Sequence, residues 1–217
     1  MSVVGLETLP WVVATLRDAL RRPLPGREAQ RRMGRYPRDV EALPYDHHAG
    51  VLVLLYPLGP LDERPHVVLT LRAANLRRHR GQVSFPGGLA EPGEELDAAA
   101  LREAEEEVGV RPQEVEVLGR LSELEMPHTG FVLHPLVGLA ERRPDLRPCE
   151  DEVARVLEVP LSALADPACV RREPRVFQEQ LYDVPYFHVA GEKVWGATAM
   201  VLSELLTLLG APPEPAP

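Results

Sequence analysis

Cysteine is almost missing from this chain: Cys149 and Cys169 are the only two in 217 residues, and they form no CxxC pair. That count excludes a disulfide framework and a cysteine-built zinc site, and it suits a reducing compartment. Positive charge is in deficit, with 24 Lys and Arg against 33 Asp and Glu, a net charge of −9. A polyanionic surface would repel such a chain, so neither nucleic acid nor a membrane surface is expected as a partner. No apolar run approaches the ~20 residues of a membrane-spanning helix. The opening MSVVGLETLPWVVATLRDAL has no basic segment ahead of its apolar part, unlike a secretory signal. A soluble, cytoplasmic protein is the expectation. No internal repeat is visible. The chain does have apolar residues at 45%, enough over this length for one full-sized core.

Apolar spacing predicts a first helix over about Leu6 to Leu20, followed by RRPLPGREAQRRMGRYPRDVEALP, a Pro/Arg-rich connector that reads as irregular surface chain. AGVLVLLYP and HVVLTLRAA read as strands, with further strands in EVEVLGRL, GFVLHPLVGLA and EVARVLEVP and a short turn or helix at Ser162 to Asp166. WGATAMVLSELLTLLG reads as a last helix, closed by Gly210 and by Pro212 and Pro213. Strands alternating with isolated helices predict an α/β or α+β sandwich. Residues 1–45 are read as a helix and connector packed on the domain, 46–210 as the domain itself, and 211–217 as a disordered tail.

The stretch FPGGLAEPGEELDAAALREAEEEVGV concentrates the chemistry. Its helix places Glu103, Glu106 and Glu107 three and four residues apart, while Leu101, Ala104 and Val108 fall on an apolar side. Like charges at these offsets repel by a few tenths of a kcal/mol per pair, and no Lys or Arg separates them between Glu103 and Val108. Carboxylate oxygens on a rigid helix suit a hard divalent cation such as Mg²⁺ or Mn²⁺; a solvated acidic face is the bland alternative. Gly87 and Gly88 allow close backbone approach, and Pro92-Gly93 marks a turn before the helix.

The spacing discriminates between those readings. Gly88, five residues, Glu94, seven residues, Arg102-Glu103, the apolar Ala104, one residue, Glu106-Glu107, one residue, Gly109 and the apolar Val110 resemble the Nudix box at every defined position. Seven fixed residues at about 7% each match by chance on the order of 10⁻⁸ per starting position. The resemblance implies an α/β/α sandwich with a mixed sheet and a loop–helix–loop that binds divalent cations and hydrolyses a nucleoside diphosphate linked to another group. It further implies metal ligands at Glu103, Glu106, Glu107 and the Gly87 carbonyl, catalytic roles for Glu106 and Glu107, and an orienting Arg102 paired with Glu94.

Upstream, Arg72, Arg77, Arg78, His79 and Arg80 form a basic island suited to phosphate. Leu69-Thr70-x-Arg72, Arg77, Gly81 and Phe85-Pro86-Gly87-Gly88 are similar to the signature that accompanies the box in coenzyme A-directed Nudix hydrolases, with Ala73 where Ser is frequent. The resemblance spans roughly Gly50 to Leu209 and implies substrate contacts at Arg72, Arg77, Gly81 and Phe85. The implied reaction is hydrolysis of coenzyme A to 4′-phosphopantetheine and adenosine 3′,5′-bisphosphate. A carboxylate outside the box would serve as base, and Glu152 in CEDEV matches the pattern best. A homodimer is left open. Other Nudix substrates, such as ADP-ribose or a dinucleoside polyphosphate, and a non-catalytic ligand sensor are the alternatives. His47 and His48 read as residues flanking a strand, His128 as a structural hydrogen bonder and Trp195 as packing.

Overall fold

Strands β1 (His47–Gly59) and β2 (Asp62–Arg72) form the antiparallel centre of an eight-stranded sheet, with Leu55 opposite Val67. The computed structural model describes residues 6–34, 44–74, 80–127, 129–177 and 179–214. The short β3 (Val83–Ser84) and β4 (Gly87–Leu89) pair with β2 and β1. A helix, α3 (Leu96–Val108), follows them, and then β5 (Glu116–Arg120) and β6 (Leu124–Met126), which both pair with β7 (Phe131–Leu139). β7 runs parallel to β1, so the sheet is mixed, and β8 (Val153–Pro160) closes against β2.

Strand β1 shows why the sheet is covered on both faces. Its side chains alternate, so Leu52, Leu54 and Tyr56 meet Ala100, Ala104 and Val108 of α3. Val53 and Leu55 point the other way, into a larger cluster with Leu16 of α1 (Leu9–Ala19) and Leu202, Leu205 and Leu206 of α5 (Ala197–Leu208). Continuous apolar runs are what a strand buried on two faces requires. The expected α/β architecture with helices on both sides of a mixed sheet is therefore present.

Several elements differ from the sequence reading. The connector contains a helix, α2 (Gly26–Arg31), whose Ala29 and Gln30 are buried, and Met33 just beyond it is fully buried. Only a few inward residues mark that short helix, and the Arg and Pro of the surrounding connector dominate the composition. A four-residue helix, α4 (Leu161–Leu164), precedes a second sheet of β9 (Val170–Phe177), β10 (Gln180–Val189) and β11 (Glu192–Trp195), which the sequence reading missed. Its root buries Val170, Val184, Tyr186 and Phe187, whereas Val176 and Leu181, cross-strand partners in its outer half, are each 71% exposed. That mixture erases a clean two-residue alternation. Trp195 ends β11 rather than opening the last helix, because Gly196 at φ 65° turns the chain first. In the tail, Ala211 is buried, and residues 215–217 lie outside the described residues.

Glu204 of α5 joins the N-terminal segment to the rest. Its fully buried carboxylate accepts from the backbone N–H of Gly26 and of Ser122, both at 3.2 Å, and from Gln30 Nε2 at 3.0 Å. Three donors offset the desolvation of one buried anion.

Helix α3 approaches β1 at backbone distance over Gly50. A Cβ there would lie 2.3 Å from the Leu96 carbonyl oxygen and 2.8 Å from the Ala100 nitrogen, neither of which is a flexible chain end. Gly50→Ala is expected to cost about 2–3 kcal/mol or more, as overpacking against backbone does. Urea unfolding checks this against Gly59→Ala, where a Cβ meets nothing within 4 Å and the loss should stay below about 0.5 kcal/mol.

Candidate active site

The glycine turn and the glutamate helix meet through three close approaches. Gly87 and Gly88 pair with Val51 and Gly50 of β1, and the Pro86 carbonyl accepts from the Leu52 N–H at 2.8 Å. Gly87 has φ 149°, and a Cβ on it would lie 2.3 Å from the Gly50 oxygen. A Cβ on Gly88 would sit 2.4 Å from the carboxyl carbon of Glu103. Backbone contact at positive φ demands glycine at Gly87, whereas at Gly88 the absent side chain leaves the space that the Glu103 carboxylate fills.

The three glutamates lie within about 100° of one another around the helix but differ in depth. Successive residues turn by about 100°, so the trio fans from solvent to core. Glu106 is outermost, with its side chain 60% exposed, and Glu107 is innermost at 3%. Arg102 gathers the outer part. Its Nε and Nη2 donate to Glu94 at 2.9 and 3.1 Å, its Nη1 to Glu103 at 2.9 Å and Glu106 at 3.2 Å, and Nη2 also reaches the Leu89 carbonyl. These bonds hold the Glu94 carboxyl below its ordinary range and keep the guanidinium charged.

Glu107 has a different environment. Its Oε2 accepts from the Gly87 N–H at 3.2 Å and its Oε1 from Arg72 Nη1 at 3.3 Å. Burial pushes its carboxyl up to about 7; the Gly87 N–H and Arg72 oppose that rise, while the charges of Glu152 and Glu103 add to it.

A loop ties the end of this helix to Glu152. The Arg147 N–H donates to the Val108 carbonyl at 2.8 Å and the Cys149 N–H to the Glu107 carbonyl at 2.9 Å, satisfying acceptors that a helix end leaves open. Gly109, at φ 77°, completes the cap, with its N–H on the Glu105 carbonyl. From the same loop, the Glu152 carbonyl accepts from the Ala73 N–H at 2.8 Å, next to Arg72. Glu152 itself is exposed. No side-chain pattern signals these backbone contacts, which tie the loop carrying Glu152 to the end of the helix.

Other expected site residues scatter. Gly81 lies at φ 66° and donates its N–H to the Arg72 carbonyl at 3.1 Å. Phe85 is 3% exposed within the apolar core, so its ring supports the turn from beneath and is not presented to a ligand. Arg77, Arg78, His79 and His128 lie outside the described residues. His47 stacks near Phe131, with ring centroids 5.1 Å apart. His48 does more than flank its strand: its Nδ1 is 2.9 Å from Nε2 of His134, whose Nδ1 is 3.4 Å from Glu123. The parallel register of β1 and β7 brings these histidines together, and burial lowers the His134 pKa. Trp195 carries the Arg175 guanidinium 4.1 Å from its ring centroid.

The geometry now permits comparison with known proteins. The NUDIX domain family matches residues 46–180. The chain belongs to the Nudix hydrolase family. It is 37% identical over 161 residues to "Uncharacterized Nudix hydrolase NudL" of Photorhabdus laumondii, covering 74% of this chain and 83% of that protein. The protein of the same name from Salmonella paratyphi B is 36% identical over 197 residues, covering 81% of this chain and 100% of its own. In fold the chain is similar to the crystal structure of a Nudix hydrolase from M. smegmatis, RenU, with a TM-score of 0.54 and 18% identity, covering 79% of this chain and 90% of that one. The chain is accordingly an enzyme of the class that cleaves phosphoanhydride bonds in nucleotide derivatives. Among the described residues no helix is long and apolar enough to cross a membrane.

Nudix hydrolases generally use divalent metals such as Mg²⁺ or Mn²⁺. Among the described residues no three His, Cys, Asp or Glu side chains are grouped as a ready metal cage, since Arg102 holds Glu103 and Glu106 while Arg72 holds Glu107. The donor chemistry nevertheless fits a hard cation. Carboxylate oxygens dominate, the Gly88 notch admits the Glu103 carboxylate, and Glu107 is a desolvated carboxylate whose pKa burial raises in spite of Arg72.

The raised carboxyl of Glu107 fixes the sign of its effect on stability. A folded-state pKa of about 7 against an ordinary 4.5 means that the folded chain holds the extra proton between those values. Stability linked to Glu107 is therefore fully present below about pH 4.5 and is lost as pH rises toward 7, by on the order of 3 kcal/mol. Glu107→Gln, in chelator and without added metal, should raise the melting temperature at pH 8 by several degrees, at about 2–4 °C per kcal/mol. At pH 5 the two proteins should melt together. Thermal scans at both pH values check this, and an equal or lower melting temperature for the variant at pH 8 contradicts it.

Proposed function

We propose that this enzyme hydrolyses the pyrophosphate of coenzyme A or its derivatives, with Mg²⁺ or Mn²⁺, to 4′-phosphopantetheine and adenosine 3′,5′-bisphosphate. The observation that carries the reading is the segment Leu69–Gly88, whose Arg72, Gly81 and Phe85-Pro86-Gly87-Gly88 spacing resembles the coenzyme A-directed signature. Arg72 on Glu107, immediately beside Gly87, supports the view that this segment serves the same centre.

In this reading Glu103, Glu106, Glu107 and the Gly87 carbonyl hold the cation, and Arg102 orients the outer carboxylates. A bound divalent ion supplies charge neutralisation for the diphosphate and lowers the pKa of water. Arg72, together with Arg77, binds substrate phosphate. Glu152 takes the proton from water as its oxygen bonds to phosphorus, and the bridging P–O bond breaks with its electrons going to the departing phosphate. Its exposure, and the reach of its charge to Glu107, support that role. A cytoplasmic location belongs to the same reading.

Hydrolysis of another nucleoside diphosphate derivative is the competing assignment, because the box alone does not choose a substrate. Purified enzyme offered coenzyme A, dephospho-coenzyme A, ADP-ribose and a dinucleoside polyphosphate in ¹⁸O-labelled water separates the two. Coenzyme A should be the best substrate by kcat/KM, with label in only one product; a preference for ADP-ribose or the dinucleotide sinks the assignment. Glu152→Gln should lower kcat by about 10²–10⁴-fold with little change in metal or substrate binding. If kcat holds, a box glutamate takes the role of base.

A further inference from the structure

Glu107 has a cation already. Of its two carboxylate oxygens, one is bound by the Gly87 N–H and the other by Arg72 Nη1. The first donor is immobile, because Gly87 is paired to Val51 and its backbone lies against Gly50. The second is not. The Arg72 side chain is 25% exposed, its contact is 3.3 Å, longer than the usual 2.7–2.9 Å of a charge-assisted bond, and its buried Nε has no hydrogen-bond partner. A guanidinium offers five donors in a rigid fork, so this contact leaves it underused.

We propose that Arg72 is a resident cation on Glu107 that a divalent ion displaces, and that the released guanidinium then takes a phosphate of the substrate. The inference rests on the divalent-cation reading of this site. Two positive groups on one carboxylate repel, so an ion ligated by Glu107 removes the charge that retains Arg72. The main chain at Arg72 stays in place: its N–H donates to the Gln82 carbonyl at 3.0 Å, its carbonyl accepts from Gly81, and the next residue is fastened to Glu152. Only the side chain has to move. A phosphate accepting from two N–H groups supplies the bonds that the present contact lacks. Metal and substrate binding are thereby linked through a single arginine, so each strengthens the other.

The test is Mn²⁺ binding to the full chain by electron paramagnetic resonance at pH 8, with no nucleotide present. Arg72→Met keeps the apolar stem and removes the competing charge, so it should bind Mn²⁺ about 5-fold or more tightly than the unaltered protein. Equal or weaker binding overturns the exchange, because a residue that only contacts substrate leaves metal affinity untouched or aids it. Absence of Mn²⁺ binding to either protein overturns the metal reading as well. Should Arg72→Met fail to fold, the ¹⁵N resonance of Arg72 Nε, identified by its loss in Arg72→Lys, replaces it as the readout. That signal should shift as Mg²⁺ saturates the unaltered chain, and a signal that stays put overturns the proposal. Hydrolysis of coenzyme A is a separate observation: the exchange survives if another nucleotide proves to be the substrate.

Discussion

A carboxylate buried between a backbone N–H and a guanidinium lies at the centre of the candidate site. Glu107 is 2% exposed, and water contributes little to its charge. Its energy is set by what the protein brings to it, and those groups come from four separate elements: Gly87 from β4, Arg72 from β2, Glu103 from its own helix and Glu152 from the loop before β8. A charge left so poorly compensated is a cost to folding, and the same deficit makes the position receptive to a stronger cation. Stability and reactivity therefore pull this residue in opposite directions.

The rest of the architecture serves to hold helix and turn at distances that side chains normally prevent. Gly50 lets α3 settle on β1, Gly87 lets the turn settle on Gly50, and Gly88 lets Glu103 settle on the turn. Each approach relies on the one beneath it. The parallel pairing of β1 with β7 and the apolar layers on both faces of the sheet keep β1 rigid enough to be the floor of this stack.

Much of this was legible in the sequence. β1 and β2 declared themselves by their apolar runs, and α3 by its spacing. The residues expected around the glycine turn do converge there, including Arg72, Arg102 and the box glutamates. What stayed hidden had long-range causes. Helical phase alone placed three glutamates together, whereas docking on β1 decided that Glu107 turns inward. Phe85 sat in a site motif and proved to be core. The second sheet was obscured because β10 is buried continuously from Val184 to Phe187, whereas Val176 and Leu181 farther out are exposed apolar residues. Helix α2 was masked by arginine and proline, and its anchor, Gln30 on Glu204, spans 174 residues.

The loop from Arg147 to Val153 has a dynamic consequence. Its amides hold the last carbonyls of α3, and its Glu152 carbonyl holds the Ala73 amide beside Arg72. Fraying of the final helical turn therefore cannot occur without releasing the loop, and releasing the loop frees both Glu152 and the end of β2. Shared hydrogen bonds of this kind are expected to make the segments open together, with the backbone amides of Arg147, Cys149 and Ala73 protected as one group. Opening that begins at Gly109 is thereby coupled to Glu107, whose carbonyl the loop holds, and to Glu152.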